Sequence, residues 1–156
     1  MVVGVTGARR YQLYKPPGSQ RGERLPLVVM LHGCTQDAHG MAASSRMNRI
    51  AAGERFMVLY PEQDRMSNLQ GCWNWFDTRN GRAQREADAM GAAINQVCLT
   101  QPVDPDRIAI AGFSAGPVWR QKRRMGVARI CHQCASRLFA DDNSKRRLKS
   151  QAAAMS

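Results

Sequence analysis

The spacing of apolar positions along the chain changes several times, and each change marks an element. Arg10 to Lys15 (RYQLYK) alternates large and polar side chains, the pattern of a half-buried strand. The stretch from Pro16 to Arg24 is rich in proline, glycine and charge and reads as a loop. Leu25 to Leu31 (LPLVVML) is a continuous apolar run rich in branched side chains, which suits a strand covered on both faces of a parallel sheet. A polar loop, His32 to Gly40, follows. Met41 to Glu54 carries apolar residues at 43, 47, 50 and 51, which predicts one helix. Phe56 to Tyr60 (FMVLY) is a second buried strand, stopped by Pro61. After a long loop, Glu62 to Gly81, apolar residues at 83, 87, 90, 94, 97 and 98 predict an amphipathic helix over Arg82 to Thr100. Pro102 to Asp106 closes it, and Arg107 to Ala111 (RIAIA) is a third buried strand. Buried strands that alternate with amphipathic helices imply an α/β fold with a mostly parallel sheet and flanking helices.

The last of these strands runs directly into Gly112-Phe113-Ser114-Ala115-Gly116, a G-x-S-x-G pattern. In a strand-to-helix bend of this kind, a serine is lifted above the sheet edge. The flanking glycines leave room for strained dihedrals and close packing. The N–H of Ala115 would then face the position of an oxyanion, with Ser114 as nucleophile. By itself the pentapeptide also fits a plain Gly/Ser turn after a strand.

Two segments favour the catalytic reading. His32-Gly33-Cys34-Thr35-Gln36 follows an early strand, where a loop supplies the second oxyanion donor, and the N–H of Cys34 or of Thr35 is the candidate. His32 precedes the serine, whereas the base of such a site follows it, so His32 is expected to shape the loop. Gly71-Cys72-Trp73-Asn74-Trp75-Phe76 places indoles in the long loop. Trp75 is expected to pack on the body of the protein and Trp73 to contact substrate.

The segments RYQLYKPPG, PLVVMLHGCTQDAHG, FMVLYPEQ, CWNWF and DPDRIAIAGFSAG, in this order and at this spacing, resemble the polyhydroxybutyrate (PHB) depolymerase-like esterases. That family includes short-chain polyhydroxyalkanoate depolymerases and some feruloyl and acetylxylan esterases. The resemblance covers roughly residues 9 to 116. It implies the N-terminal half of an α/β-hydrolase and a Ser-Asp-His carboxylic-ester hydrolase that acts by acyl transfer on polyester, aryl or acetyl esters. It calls for no metal or cofactor. Ser114 falls on the nucleophile, Cys34 and Ala115 on the oxyanion hole, and Trp73 beside the substrate. The family is normally extracellular, and export would make a Cys34–Cys72 disulfide the pairing to expect. Met1 to Arg10 lacks the pattern of a signal peptide, so the chain expressed as written is expected in the cytoplasm. No apolar run has the length of a membrane helix, so no membrane partner is expected.

Charge changes the picture at the C-terminal side. The net charge of the 156 residues is +11. Up to Gly116 there are 13 Lys+Arg against 10 Asp+Glu, and from Pro117 onward 10 against 2. The resemblance stops at the same place. Arg120, Lys122, Arg123 and Arg124 crowd a stretch where the family has small apolar residues on a helix buried against the sheet. Codons for Pro-Val-Trp-Arg-Gln, read one base earlier, can spell Ala-Gly-Leu-Ala-Ala, so a frameshift accounts for the change. The expected organisation is a partial esterase domain over 1–116 and a basic, frameshifted or poorly ordered tail over 117–156. After Ser114 the acid and base types occur only as His132, Asp141 and Asp142, in the reverse of the family's order. The truncated form is therefore expected to be inactive alone, with the strand near Ile110 left as an apolar sheet edge. The alternative is a non-enzymatic protein whose basic tail binds nucleic acid, but that reading gives the body motifs no role. Cys131 and Cys134 have CxxC spacing without a second ligand pair, which leaves a zinc or redox module unsupported.

Overall fold

The structure, a computed structural model, describes residues 1–6, 9–20, 22–74, 77, 79–113 and 127–130. Ser114, Ala115, Trp75 and most of the basic tail, with Cys131, Cys134, His132, Asp141 and Asp142, lie outside the described residues. Six strands form one sheet in the order β1-β2-β4-β3-β5-β6. They are β1 (Val2–Thr6), β2 (Arg9–Tyr14), β3 (Leu25–Leu31), β4 (Met57–Pro61), β5 (Val103–Gly112) and β6 (Val127–Ile130). The helices are α1 (Ala38–Ser45), α2 (Met47–Glu54) and α3 (Arg82–Thr100). The centre of the sheet, β4-β3-β5, is parallel, and β1, β2 and β6 run antiparallel to their neighbours.

The strand alternation explains how both faces are covered. Leu25, Leu27, Val29 and Leu31 of β3, with Met57 and Leu59 of β4 and Ile108 and Ile110 of β5, pack with Met90, Ala93, Ile94 and Val97 of α3. Met30 of β3, Val58 and Tyr60 of β4 and Ala111 of β5 belong to a second cluster with Ala38, Met41, Ala42 and Ala51 of α1 and α2. An apolar run without polar alternation is what a strand between two helical layers requires.

The structure departs from the sequence expectation at four places. The helix over 41–54 is two helices, because Arg46 adopts a left-handed conformation (φ 53°) that breaks the ladder. Asp37 caps the first of them, its Oδ1 accepting the Gly40 N–H at 2.7 Å. A strand, β1, precedes the first expected one. β5 begins at Val103 and not at Arg107: Val103 pairs with Leu25, and the register then shifts across the segment holding Pro105, which has no N–H to donate. Finally, the edge of β5 is not open. β6 pairs with it from Ile108↔Ile130 to Ala111↔Val127. Among the described residues no helix is long and apolar enough to cross a membrane.

Tyr60 gives this core a pH signature. Its phenol is buried and donates to Asn48 Oδ1 at 2.8 Å, and burial pushes its pKa up to about 12. The folded state disfavours the ionised form, so stability is unaffected below about pH 10, where the unfolded tyrosine begins to ionise, and falls up to about pH 12. The loss should be on the order of 2–3 kcal/mol. Urea titrations between pH 9 and 12 should show this decline, and Tyr60→Phe should remove its tyrosine-dependent part.

Candidate functional site

The site is built where β3 and β5 end together. Their parallel register runs from Leu27↔Ile108 to Leu31↔Gly112, and the Phe113 N–H donates to the Leu31 carbonyl at 3.1 Å. The first residues of the GFSAG segment therefore lie beside the strand end that opens into His32-Gly33-Cys34. Loops at the C-terminal ends of parallel strands are where α/β sheets carry their chemistry.

The 32–36 loop is held by hydrogen bonds at almost every residue. His32 is buried. Its Nε2 accepts the main-chain N–H of Gln63 at 3.0 Å, so Nδ1 carries the ring proton and donates to the Gly33 carbonyl at 2.8 Å. The Gly33 N–H donates to Gln36 Oε1 at 3.0 Å, and the Thr35 N–H to the Gln70 carbonyl at 2.8 Å. Thr35 is left-handed (φ 65°), with its hydroxyl donating to the Cys34 carbonyl at 2.6 Å. The N–H of Cys34 makes no hydrogen bond among the described residues. Of the two candidates for the loop's oxyanion donor, the Thr35 N–H is thus engaged within the fold, whereas the Cys34 N–H has no partner among the described residues. A disulfide joins Cys34 to Cys72, with the Cα atoms 4.3 Å apart. Gly71, at φ 66°, makes the left-handed turn that leads into Cys72, a conformation that any side chain would strain.

Trp73 corrects an expectation. It is 1% exposed and belongs to the core cluster under α3, so its rings do not offer a platform to substrate. Its Nε1–H donates to the His32 carbonyl at 2.9 Å, its ring is tilted against the His32 imidazole, and the Arg9 guanidinium lies 5.4 Å from its centroid. An indole in a polar loop is buried here because its one polar atom finds an acceptor.

Beneath the loops lies a buried polar network that the sequence reading missed. The Glu86 carboxylate on α3 is 2% exposed. It accepts the main-chain N–H of Asn74 at 2.8 Å, the Asn74 side-chain amide at 2.8 Å and the Gln63 amide, and it faces Arg9 at 4.0 Å. Gln63 also donates to the Cys72 carbonyl at 2.9 Å and accepts from Arg9. Burial lowers the Arg9 pKa from its usual value, while the charges of Glu86 and Asp64 act in the opposite direction. One signal could have revealed this network. Glu86 sits inside the apolar stripe of α3, between Ala83, Ala87 and Met90, where a charge needs a reason.

The outer part of the long loop is tied down by its own side chains. Asp64 Oδ1 accepts the Met66 N–H at 2.9 Å, Asn68 donates to Asn74 Oδ1 at 2.9 Å, and the Asn68 carbonyl accepts the Gly71 N–H at 2.8 Å. Between these anchors Met66 and Leu69 are 91% and 92% exposed.

Residues 9–127 match the family model described as Esterase PHB depolymerase. Poly(3-hydroxyalkanoate) depolymerase C of Paucimonas lemoignei is 34% identical over 112 residues, which is 71% of this chain and 27% of that protein. Feruloyl esterase B of Neurospora crassa is 28% identical over 92 residues, 58% of this chain and 30% of that one. The chain therefore spans about a third or less of these two relatives. Among solved structures, an acetyl xylan esterase from Aspergillus awamori shares the fold, with a TM-score of 0.58 at 18% identity over 69% of this chain and 38% of that one.

Two stability effects follow from this geometry. Glu86→Ala leaves the buried Arg9 guanidinium without its counter-charge and the Asn74 N–H without its acceptor, and should cost about 3–5 kcal/mol in urea unfolding followed by tryptophan fluorescence. Reduction of the disulfide, which closes a separation of 38 residues, should lower stability by about 4 kcal/mol in the chain-entropy picture. Unfolding with and without reductant measures it.

Proposed function

The chain belongs to the esterase family of the PHB depolymerases, and from that premise we propose that it carries the nucleophile half of a serine carboxylic-ester hydrolase. In this reading Ser114 attacks the ester carbonyl and the N–H groups of Cys34 and Ala115 hold the oxyanion of the tetrahedral intermediate. The substrates are polyhydroxyalkanoate or small aryl and acetyl esters, and the site of action is extracellular. The observation that supports this best is the register Leu31↔Gly112 with the Phe113-to-Leu31 hydrogen bond. It sets the residue before Ser114 beside the loop whose Cys34 N–H has no partner among the described residues.

Turnover needs more than these groups. A serine hydroxyl without a histidine stays protonated and is a weak nucleophile. His132, Asp141 and Asp142 do not follow Ser114 in the Ser-Asp-His order. Residues 1–156 alone are therefore proposed to be inactive, with 1–116 as the esterase part and 117–156 as a basic tail that lends the sheet its edge strand β6.

The test has two arms. On a p-nitrophenyl ester, the chain should be no faster than its Ser114→Ala variant. Residues 1–116 joined to the part of the Paucimonas lemoignei depolymerase that follows its matching segment should restore turnover, and Ser114→Ala should then reduce it by about 10³-fold or more. A folded, active chimera indifferent to Ser114→Ala would overturn the nucleophile assignment.

A further inference from the structure

We infer that His32 is a positioning residue that aims the Cys34 N–H by locking the Gly33–Cys34 peptide plane through its Nδ1–H. The inference rests on the reading of Cys34 N–H as an oxyanion donor.

The Gly33 carbonyl and the Cys34 N–H belong to one peptide unit. In a planar trans peptide the two point in opposite directions, so whatever fixes the oxygen fixes the hydrogen. The ends of this unit are constrained. Gly33 is separated from β3 by His32 alone and its N–H is held by Gln36, while Cys34 is tied through its sulfur to Cys72. What remains is rotation of the plane between them. Glycine makes that rotation easy, because no Cβ opposes it. A flip would turn the Cys34 N–H to the opposite side and put an oxygen where an oxyanion needs a donor.

Two donors hold the Gly33 carbonyl. The Gln36 N–H is 3.3 Å away, a long bond, whereas His32 Nδ1 is at 2.8 Å. The histidine is therefore the main restraint. Its tautomer is set from the other side of the ring, because Nε2 accepts the Gln63 N–H at 3.0 Å. Gln63 is in turn fixed by Glu86, Arg9 and the Cys72 carbonyl. The ring is clamped by its tilted contact with Trp73, whose indole N–H takes the His32 carbonyl. The buried network thus ends at one amide hydrogen. Such advance orientation is what makes an oxyanion donor effective, since it needs no reorganisation during the reaction.

Two substitutions separate this role from plain loop anchoring. The side-chain amide of asparagine reaches the position of Nδ1, and that of glutamine the position of Nε2. His32→Asn keeps a donor for the Gly33 carbonyl and gives up the acceptor for Gln63. His32→Gln does the reverse. In the full ¹⁵N-labelled chain, residual dipolar couplings report the orientation of the Cys34 N–H relative to the β3 amides. They should stay at the wild-type value in His32→Asn and shift toward the averaged values of exposed loop amides in His32→Gln. The opposite ranking would overturn the proposal. Should a variant not fold, the ring ¹⁵N signals of the wild-type chain decide alone: a proton on Nδ1 with a bare Nε2 supports it, and the reverse tautomer overturns it. These orientations do not depend on turnover. A failure of the esterase reading appears in the Ser114 assays and leaves them unchanged, whereas a failure of the positioning role appears here.

Discussion

Parallel pairing of β3 with β5 is the constraint from which the rest of the candidate site follows. Adjacent parallel strands end on the same side of a sheet, so two segments about 80 residues apart in sequence, HGC and GF, emerge together. The apolar runs make this pairing obligatory. Leu27, Val29 and Leu31 must be covered by α3, Met30 must be covered on the opposite face near α1 and α2, and a slip of one residue would exchange the faces. The register that buries the core is the same one that brings Phe113 to the Leu31 carbonyl.

A second layer of restraint is polar. Carboxylates seldom lie under an apolar helix face, and Glu86 is tolerated because each of its oxygens meets donors from the loop above. This turns a segment without regular secondary structure into a fixed surface. Gln63 and Trp73 are each anchored both to the body and to the His32 segment or its disulfide partner, and Asn74 ties the loop to Glu86 of the body. The loop geometry is therefore a property of the core, although none of the loop residues lies in a helix or strand.

Much of the frame was legible in the sequence. β3 and β4 appear as unbroken apolar runs, and α3 as a long 3.6-residue period, because burial on a sheet or helix face writes a local signature. The β5 start was hidden by Pro105, which reads as a stop but sits where the ladder is already interrupted. The break between α1 and α2 depends on the backbone of Arg46, a residue with no composition signal for a left-handed turn. For the site, the motifs located the two loops, while the partners of each group were not visible. Trp73 looked like a surface aromatic because its neighbours are polar, and only the position of the His32 carbonyl explains its burial. Glu86, Gln63 and Arg9 come from three separate segments, and no spacing links them.

The 64–71 segment carries a different consequence. Its main chain is fastened by Asp64 and Asn68, while Met66 and Leu69 project into solvent and support nothing. Scaffold and display are thus assigned to different positions of one loop. Side chains at 66 and 69 can be exchanged for others of any size or charge with little effect on folding, so the face next to the disulfide can drift or be redesigned while the geometry behind it stays unchanged.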